Sequence, residues 1–241
     1  MIRILIPVYN EEKNIRGCVL EIHKILKNDR HKFYLVDDGS KDKSRKILNE
    51  LARTLPAVVL GHASNRGVAE ALKTGLGELE RDGRDEDILI IMEGDGTSTP
   101  ELIRVITDKI RGGADLVIAS RYVPGGEYRN FPLRRLALSR LANLTLGLFF
   151  PKDGVKDYTI FYRAYKMRVI KKTIKEYKSD LIKTKYFTAN SELLVKCMEF
   201  TDKIEEVPFV YDYGKKKGTS GMKIVRNVKQ YFRLIANKFE S

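Results

Sequence analysis

Through the first half of the chain, short β-rich runs alternate with longer stretches in which apolar positions recur at helical spacing. Five runs read as strands: Ile2 to Pro7, Lys32 to Val36, Ala57 to Leu60, Ile88 to Met92 and Asp115 to Ala119. The intervening stretches are amphipathic and read as helices. Strand, helix, strand in succession predicts an α/β domain, a mostly parallel sheet flanked by helices. Its ligand site is expected outside the carboxyl ends of the strands. The residues that directly follow each strand are therefore the ones to read for chemistry.

Beyond residue 120 the pattern is less regular. Arg121 to Pro132 is a loop punctuated by Gly and Pro, and Leu133 to Phe150 has helical spacing. A mixed segment follows, with Ile204 to Val210 strand-like, Lys215 to Gly221 a basic loop, and Met222 to Phe239 a closing helix. No repeat or low-complexity tract interrupts this course. The expectation is one domain over 1–241, with a regular half at 1–126 and an irregular half at 127–241.

Composition narrows the setting. A chain of 241 residues, 43% hydrophobic, can bury a full core without staples. Cys18 and Cys197 stand far apart without metal-ligand spacing, which fits a reducing, cytoplasmic compartment. Met1 to Pro7 enters the first strand at once and lacks the sections of a signal peptide. The apolar stretch Leu133 to Phe150 is broken by Arg134, Arg135, Arg140 and Asn143, so no membrane span is expected. Forty-five Lys+Arg against 32 Asp+Glu give a formal charge of +13 and favour a polyanionic partner, phosphate or anionic lipid. With no Trp and no nucleic-acid motif, RNA or DNA is the weaker reading.

Three of the segments that follow strands are rich in carboxylates: Pro7-Val8-Tyr9-Asn10-Glu11, Asp37-Asp38-Gly39-Ser40 and Glu93-Gly94-Asp95-Gly96. These residue types also suit caps and turns, so each segment alone says little. An Asp here can accept a hydrogen bond from a nucleobase N–H. Glu93 and Asp95, one residue apart in a short loop, can coordinate Mg²⁺ or Mn²⁺, hard ions that take oxygen ligands and bridge to substrate phosphates. Asp37 stays open between a capping residue and a direct contact. No Gly-x-Gly-x-x-Gly follows the first strand, which argues against a dinucleotide-binding oxidoreductase. His23, His31 and His62 show no ligand spacing and receive no role.

Taken in order, Ile6-Pro7-Val8-Tyr9-Asn10-Glu11, Val36-Asp37-Asp38-Gly39-Ser40, Asn65-Arg66-Gly67 with Ala71-Leu72 and Gly75, Glu93-Gly94-Asp95-Gly96, and Ser120-Arg121-Tyr122-Val123-Pro124-Gly125-Gly126 form a set. That set resembles family 2 glycosyltransferases of the GT-A fold, and within them the polyprenyl-phosphate sugar synthases, typified by dolichol-phosphate mannose synthase. The resemblance implies that 1–126 is the half that binds a nucleotide diphosphate sugar and 127–241 the acceptor side. It implies that Pro7, Tyr9, Glu11, Val36 and Asp38 hold the nucleotide. Glu93, Gly94 and Asp95 fall on the Asp-x-Asp element, with Asp95 the more direct metal contact. Arg121 and Arg135 match arginines that approach the donor diphosphate, and Lys215 and Lys223 belong to the late basic loop. The chain departs from the pattern where Glu93 replaces Asp, where Lys215 replaces Arg, at Ile160-Phe161-Tyr162 after Asp157, and where Gly221 and Met222 separate Ser220 from Lys223.

The implied activity is inverting transfer of a sugar to a polyprenyl (dolichyl-type) phosphate. Two alternatives remain: a hydroxyl acceptor, for which Glu192 is the candidate base, and a non-catalytic sugar-nucleotide-binding module at a membrane. Two apolar stripes beside cations suit a peripheral position on the inner face of a membrane. Leu133, Leu136, Leu141, Leu144 and Leu148 lie beside Arg134, Arg135 and Arg140. Ile224, Val228, Tyr231, Phe232, Ile235 and Phe239 lie beside Lys223, Arg226, Lys229, Arg233 and Lys238.

Overall fold

The computed structural model describes residues 1–215 and 224–239. All five expected strands are present. They are β1 (Ile2–Val8), β2 (His31–Asp37), β3 (Ala57–Gly61), β4 (Ile88–Ile91) and β5 (Leu116–Ser120). Helices α1 (Ile15–Ile25), α2 (Ser44–Ala52), α3 (Val68–Asp82) and α4 (Leu102–Arg111) separate them. Near-continuous apolar runs such as Ile4-Leu5-Ile6 and Leu89-Ile90-Ile91 have no exposed surface, as befits strands covered on both faces.

The main sheet has seven strands in the order β3-β2-β1-β4-β7-β5-β8, where β7 is Arg163–Lys166 and β8 is Ile204–Pro208. Only β7 runs antiparallel, between β4 and β5. The chain steps outward from β1 through β2 and β3 and then returns to place β4 on β1's other side. The order therefore reverses between β1 and β4, and a crevice opens at their carboxyl ends.

Two strands lie outside the sequence expectation. Strand β7 is four residues long and carries Arg163 and Tyr165 fully buried, so its arginine masks it as surface. The other is β6 (Glu127–Arg129), hidden in the Gly/Pro loop. The run Ile204 to Val210 is also not one strand. It breaks at Pro208, which has no N–H to continue a ladder. Phe209 bonds to Ser120 and Glu127, and β9 (Val210–Asp212) then pairs with β6 in a second, two-stranded sheet.

The irregular half adds α5 (Leu133–Phe149), α6 (Met167–Tyr177), α7 (Thr188–Cys197) and α8 (Ile224–Phe239). Helix α5 is apolar on both faces. Leu146 is buried, while Leu133, Leu144 and Leu148 are 81%, 73% and 75% exposed. Helix α8 turns Leu234 and Ile235 inward and leaves Phe232, Lys229 and Arg233 outside. Among the described residues no helix is long and apolar enough to cross a membrane. The side chains of Ile224, Arg226, Val228 and Phe239, and all of Lys223, lie outside the described residues.

Candidate active site

The loops that follow β1, β2 and β3 are sewn together by bonds between main chain and side chain. The Asn10 and Glu11 N–H groups donate to Ser40 Oγ and Ser44 Oγ at 3.0 and 2.8 Å, and Lys41 N–H donates to Asn10 Oδ1 at 2.8 Å. Gly39 sits at φ +67°, and a Cβ there would lie 2.4 Å from the Ser64 carbonyl carbon, so only glycine lets the third loop close on the second. Tyr9 stands 40% exposed at the mouth of the crevice, and Pro7 is half-buried below it. Glu11 accepts a bond from Asn14 Nδ2 at 2.8 Å at the head of α1.

Asp38 is buried, and its carboxylate accepts three bonds. Arg66 N–H (2.8 Å) and a His62 ring nitrogen (2.7 Å) meet Oδ1, and Gly67 N–H (2.7 Å) meets Oδ2. The residue assigned to the nucleotide thus also anchors the third loop at the start of α3. His62, which has no role by spacing, reaches Thr74 Oγ1 at 2.9 Å with its other nitrogen and ties Asp38 to α3. Its position directly after β3 is the signal that could have marked it. Asp37 receives Ser40 N–H at 3.3 Å and lies 3.6 Å from Arg45, which makes it a turn residue rather than a helix cap. Val36 is a correction: its side chain is sealed in the core and its backbone lies between β1 and β3, so it offers no side chain to a ligand.

The loop after β4 faces these three. Gly94 is packed so tightly that a Cβ would come within 2.8 Å of Ile15 Cδ1. Glu93 is half-buried at the edge of the cavity described below, and Asp95 is buried with Oδ1 accepting the Thr97 N–H and hydroxyl. Among the described residues no cluster of three or more Asp, Glu, His or Cys is arranged to hold a metal ion. Two oxygen donors nevertheless fit Mg²⁺ or Mn²⁺, which keep part of their shell for substrate phosphate and water. The Lys215 carbonyl passes 3.5 Å from the position of a Gly96 Cβ, so this exposed lysine belongs beside the same loop.

Arg121 is differently placed from what the sequence suggests. Its fork is closed on buried Asp157, with Nε to Oδ2 at 2.7 Å and Nη2 to Oδ1 at 2.6 Å, and Nη2 also donates to Thr159 Oγ1 at 2.7 Å. The Tyr128 ring covers the guanidinium at 4.8 Å. Burial alone would lift the Asp157 carboxyl, but the Arg121 charge outweighs it and holds the group below the usual carboxylate range. Arg135 projects from α5, donates to the Tyr213 hydroxyl at 2.9 Å and stacks on that ring.

Glu93, Arg121, Arg135, Ser139 and Thr159 line one cavity of about 190 Å³. Its walls are apolar: Leu138, Leu141 and Ala142 of α5, Phe161 and Phe187, and Phe232 and Ile235 of α8. The Ile160-Phe161 departure after Asp157 is thus part of the cavity wall. Glu192 does not fit the role of a base. It is fully buried, and its oxygens take the Lys183 and Thr184 N–H groups, the Thr184 hydroxyl and the Lys196 ammonium.

The family profile described as Glycosyl transferase family 2 matches residues 3–176. Polyprenol monophosphomannose synthase of Mycolicibacterium smegmatis is 38% identical over 171 residues, 70% of this chain and 63% of that protein. Dolichol-phosphate mannosyltransferase of Pyrococcus furiosus is 27% identical over 235 residues, 97% of this chain and 62% of that protein. The chain therefore spans less than two thirds of either relative's length. Glucosyl-3-phosphoglycerate synthase from Mycobacterium tuberculosis, solved with Mn²⁺, UDP and glucosyl-3-phosphoglycerate, shares the fold with a TM-score of 0.68 at 16% identity. That alignment covers 100% of this chain and 79% of the other. The shared architecture is the GT-A fold expected from the sequence.

Proposed function

As the chain belongs to glycosyl transferase family 2, we propose that it moves a sugar from a nucleoside diphosphate sugar to a polyprenyl phosphate at a membrane surface, with inversion at the anomeric carbon. One observation carries this reading: a cavity lined by Glu93 and two arginines and otherwise mainly by apolar side chains, among them those of α5 and α8. A phosphate on a long hydrocarbon tail matches both parts. The names of the two lipid-phosphate relatives support the same acceptor class.

The nucleoside lies against Pro7, Tyr9, Glu11 and Asp38, and the diphosphate lies toward Asp95 and Lys215. Glu93 and Asp95 would hold a divalent cation, which would supply neutralising charge to the diphosphate leaving group. An oxygen of the acceptor phosphate attacks the anomeric carbon, the bond from that carbon to the diphosphate oxygen breaks, and the nucleoside diphosphate leaves with the electron pair. A phosphate is already ionised near neutral pH, so no general base is required, in keeping with the engagement of Glu192 in fastening its own segment. Arg135 orients the incoming phosphate and Arg121, braced by Asp157, keeps the wall behind it in place, which is positional catalysis.

The exposed leucines of α5 and Phe232 of α8 stand beside this cavity with Arg134, Arg140, Lys229 and Arg233 exposed among them. An apolar surface rimmed by cations suits shallow insertion among anionic headgroups, about 1 kcal/mol per basic residue. The test is transfer from radiolabelled nucleoside diphosphate sugars to a short polyprenyl phosphate with Mn²⁺, together with flotation on anionic vesicles. Label in the lipid phosphate is expected. No transfer to polyprenyl phosphate from any donor, with protein that stays unbound to vesicles at low salt, would remove the lipid acceptor.

A further inference from the structure

The three donors to the Asp38 carboxylate are not equivalent. Arg66 and Gly67 offer backbone N–H groups of the loop between β3 and α3, and that loop can shift together with the carboxylate it binds. His62 is fixed from two other directions. Its backbone N–H donates to the Asp37 carbonyl at 2.9 Å, carrying the β2–β3 ladder one step past Gly61, and its second ring nitrogen meets Thr74 Oγ1 in the body of α3, also at 2.9 Å. A carboxylate only accepts, so His62 Nδ1 carries the proton at the 2.7 Å contact with Asp38 Oδ1. The side chains of His62 and Asp38 are 5% and 4% exposed, and a hydrogen bond to a carboxylate is roughly twice as strong as one between neutral groups. The Asp38 N–H is itself bonded to the Val8 carbonyl at 2.8 Å. With the main chain of Asp38 held by β1, what His62 sets is the orientation of its carboxylate.

Resting on the function proposed above, we propose that His62 is a positioning residue of the donor site, which orients Asp38 through Nδ1–H and thereby sets the affinity for the nucleotide. A group that touches a ligand keeps its geometry only when the groups behind it are themselves fixed, and His62 is the donor to Asp38 that refers it to both the sheet and α3. The two ring nitrogens can be taken apart by substitution. Asn carries its amide nitrogen on Cγ, as His carries Nδ1, whereas Gln carries its amide nitrogen one atom farther out, at the reach of Nε2. His62→Asn therefore keeps the donor to Asp38 and gives up Thr74, and His62→Gln does the reverse. A residue that only fills space or fastens α3 would not rank the two in that order.

The experiment titrates UDP and GDP, with Mn²⁺ present, into the full chain by calorimetry and records thermal unfolding of each variant. His62→Ala should raise Kd for the nucleotide that binds about 10-fold, the usual worth of a hydrogen bond to a charged group. His62→Asn should return Kd to within about threefold of wild type, while His62→Gln should stay near the value of His62→Ala. Thr74→Val, which leaves the bond to Asp38 in place, should change Kd by less than about threefold. Wild-type affinity in a folded His62→Ala variant would overturn the inference alone. Should that variant fail to fold, nucleotide binding by His62→Gln as tight as by His62→Asn overturns it. Absence of binding of both nucleotides by the wild type would instead overturn the proposed function along with it.

Discussion

The two sides of the crevice are built by different means. On the donor side, the loops after β1, β2 and β3 are held mainly through backbone N–H groups bonded to short polar side chains: Ser40 and Ser44 on Asn10 and Glu11, Asp38 on Arg66 and Gly67. On the acceptor side, side chains hold side chains. Tyr122, Tyr128, Ser139, Asn143 and Thr159 share hydroxyl and amide bonds beneath the Arg121–Asp157 pair, and apolar helix faces form the rest of the wall. A backbone-built cradle is rigid and suits a nucleotide of constant shape. Walls of Leu, Phe and Ile suit a hydrocarbon chain, which offers only area and no directional bonds. Under the proposed function, the difference would separate precise placement of the diphosphate from tolerant housing of the lipid.

Five variants would break or sharpen that contrast. Asp95→Ala should lower transfer by about 10³-fold while leaving thermal unfolding near wild type; unaltered turnover of the sugar nucleotide would move the cation elsewhere. Asp157→Asn removes the counter-charge of a buried arginine and should cost about 3–5 kcal/mol of stability, read as a drop in Tm of roughly 6–20 °C. Because the Asp157 carboxyl is depressed in the fold, its contribution is complete above the unfolded value of about 3.9 and is lost as pH falls below it. Denaturant titrations between about pH 6 and pH 3 should therefore show a steeper loss for wild type than for Asp157→Asn. A wild-type slope in the variant would contradict the pairing.

Arg135→Ala should reduce kcat/KM for polyprenyl phosphate about 10- to 100-fold, the usual worth of a charge-assisted contact, while leaving nucleotide affinity within about threefold. Equal losses in both would place Arg135 on the donor instead. Leu144→Asp with Leu148→Asp should release the protein from anionic vesicles and leave transfer to a short, detergent-dispersed polyprenyl phosphate intact. Loss of both activities together would mean that this face packs against protein rather than lipid. The smallest effect is expected for Glu93→Asp, within about threefold in Mn²⁺-supported transfer, since either carboxylate presents an oxygen.

Much of this molecule is determined locally. Five strands, the helices at 133–149 and 224–239, and the placing of polar residues at strand ends follow from periodicity and turn chemistry, because backbone preferences act over a few residues. The spacing of Glu93 and Asp95 is legible for the same reason, as both belong to one short loop. What the sequence by itself could not decide is pairing across distance. Strand β7 exists because Arg163 and Tyr165 are buried between β4 and β5, where Arg163 donates to the Asn190 and Tyr158 carbonyls. Pro208 and Phe209 hand the chain from one sheet to the other only because Ser120 and β6 wait there. Asp38 acquires His62, Arg121 acquires Asp157, and Val36 is enclosed by its neighbours, all through contacts between distant segments. A buried charge must find its partner or stay unfolded, and that requirement is met in three dimensions, not along the chain.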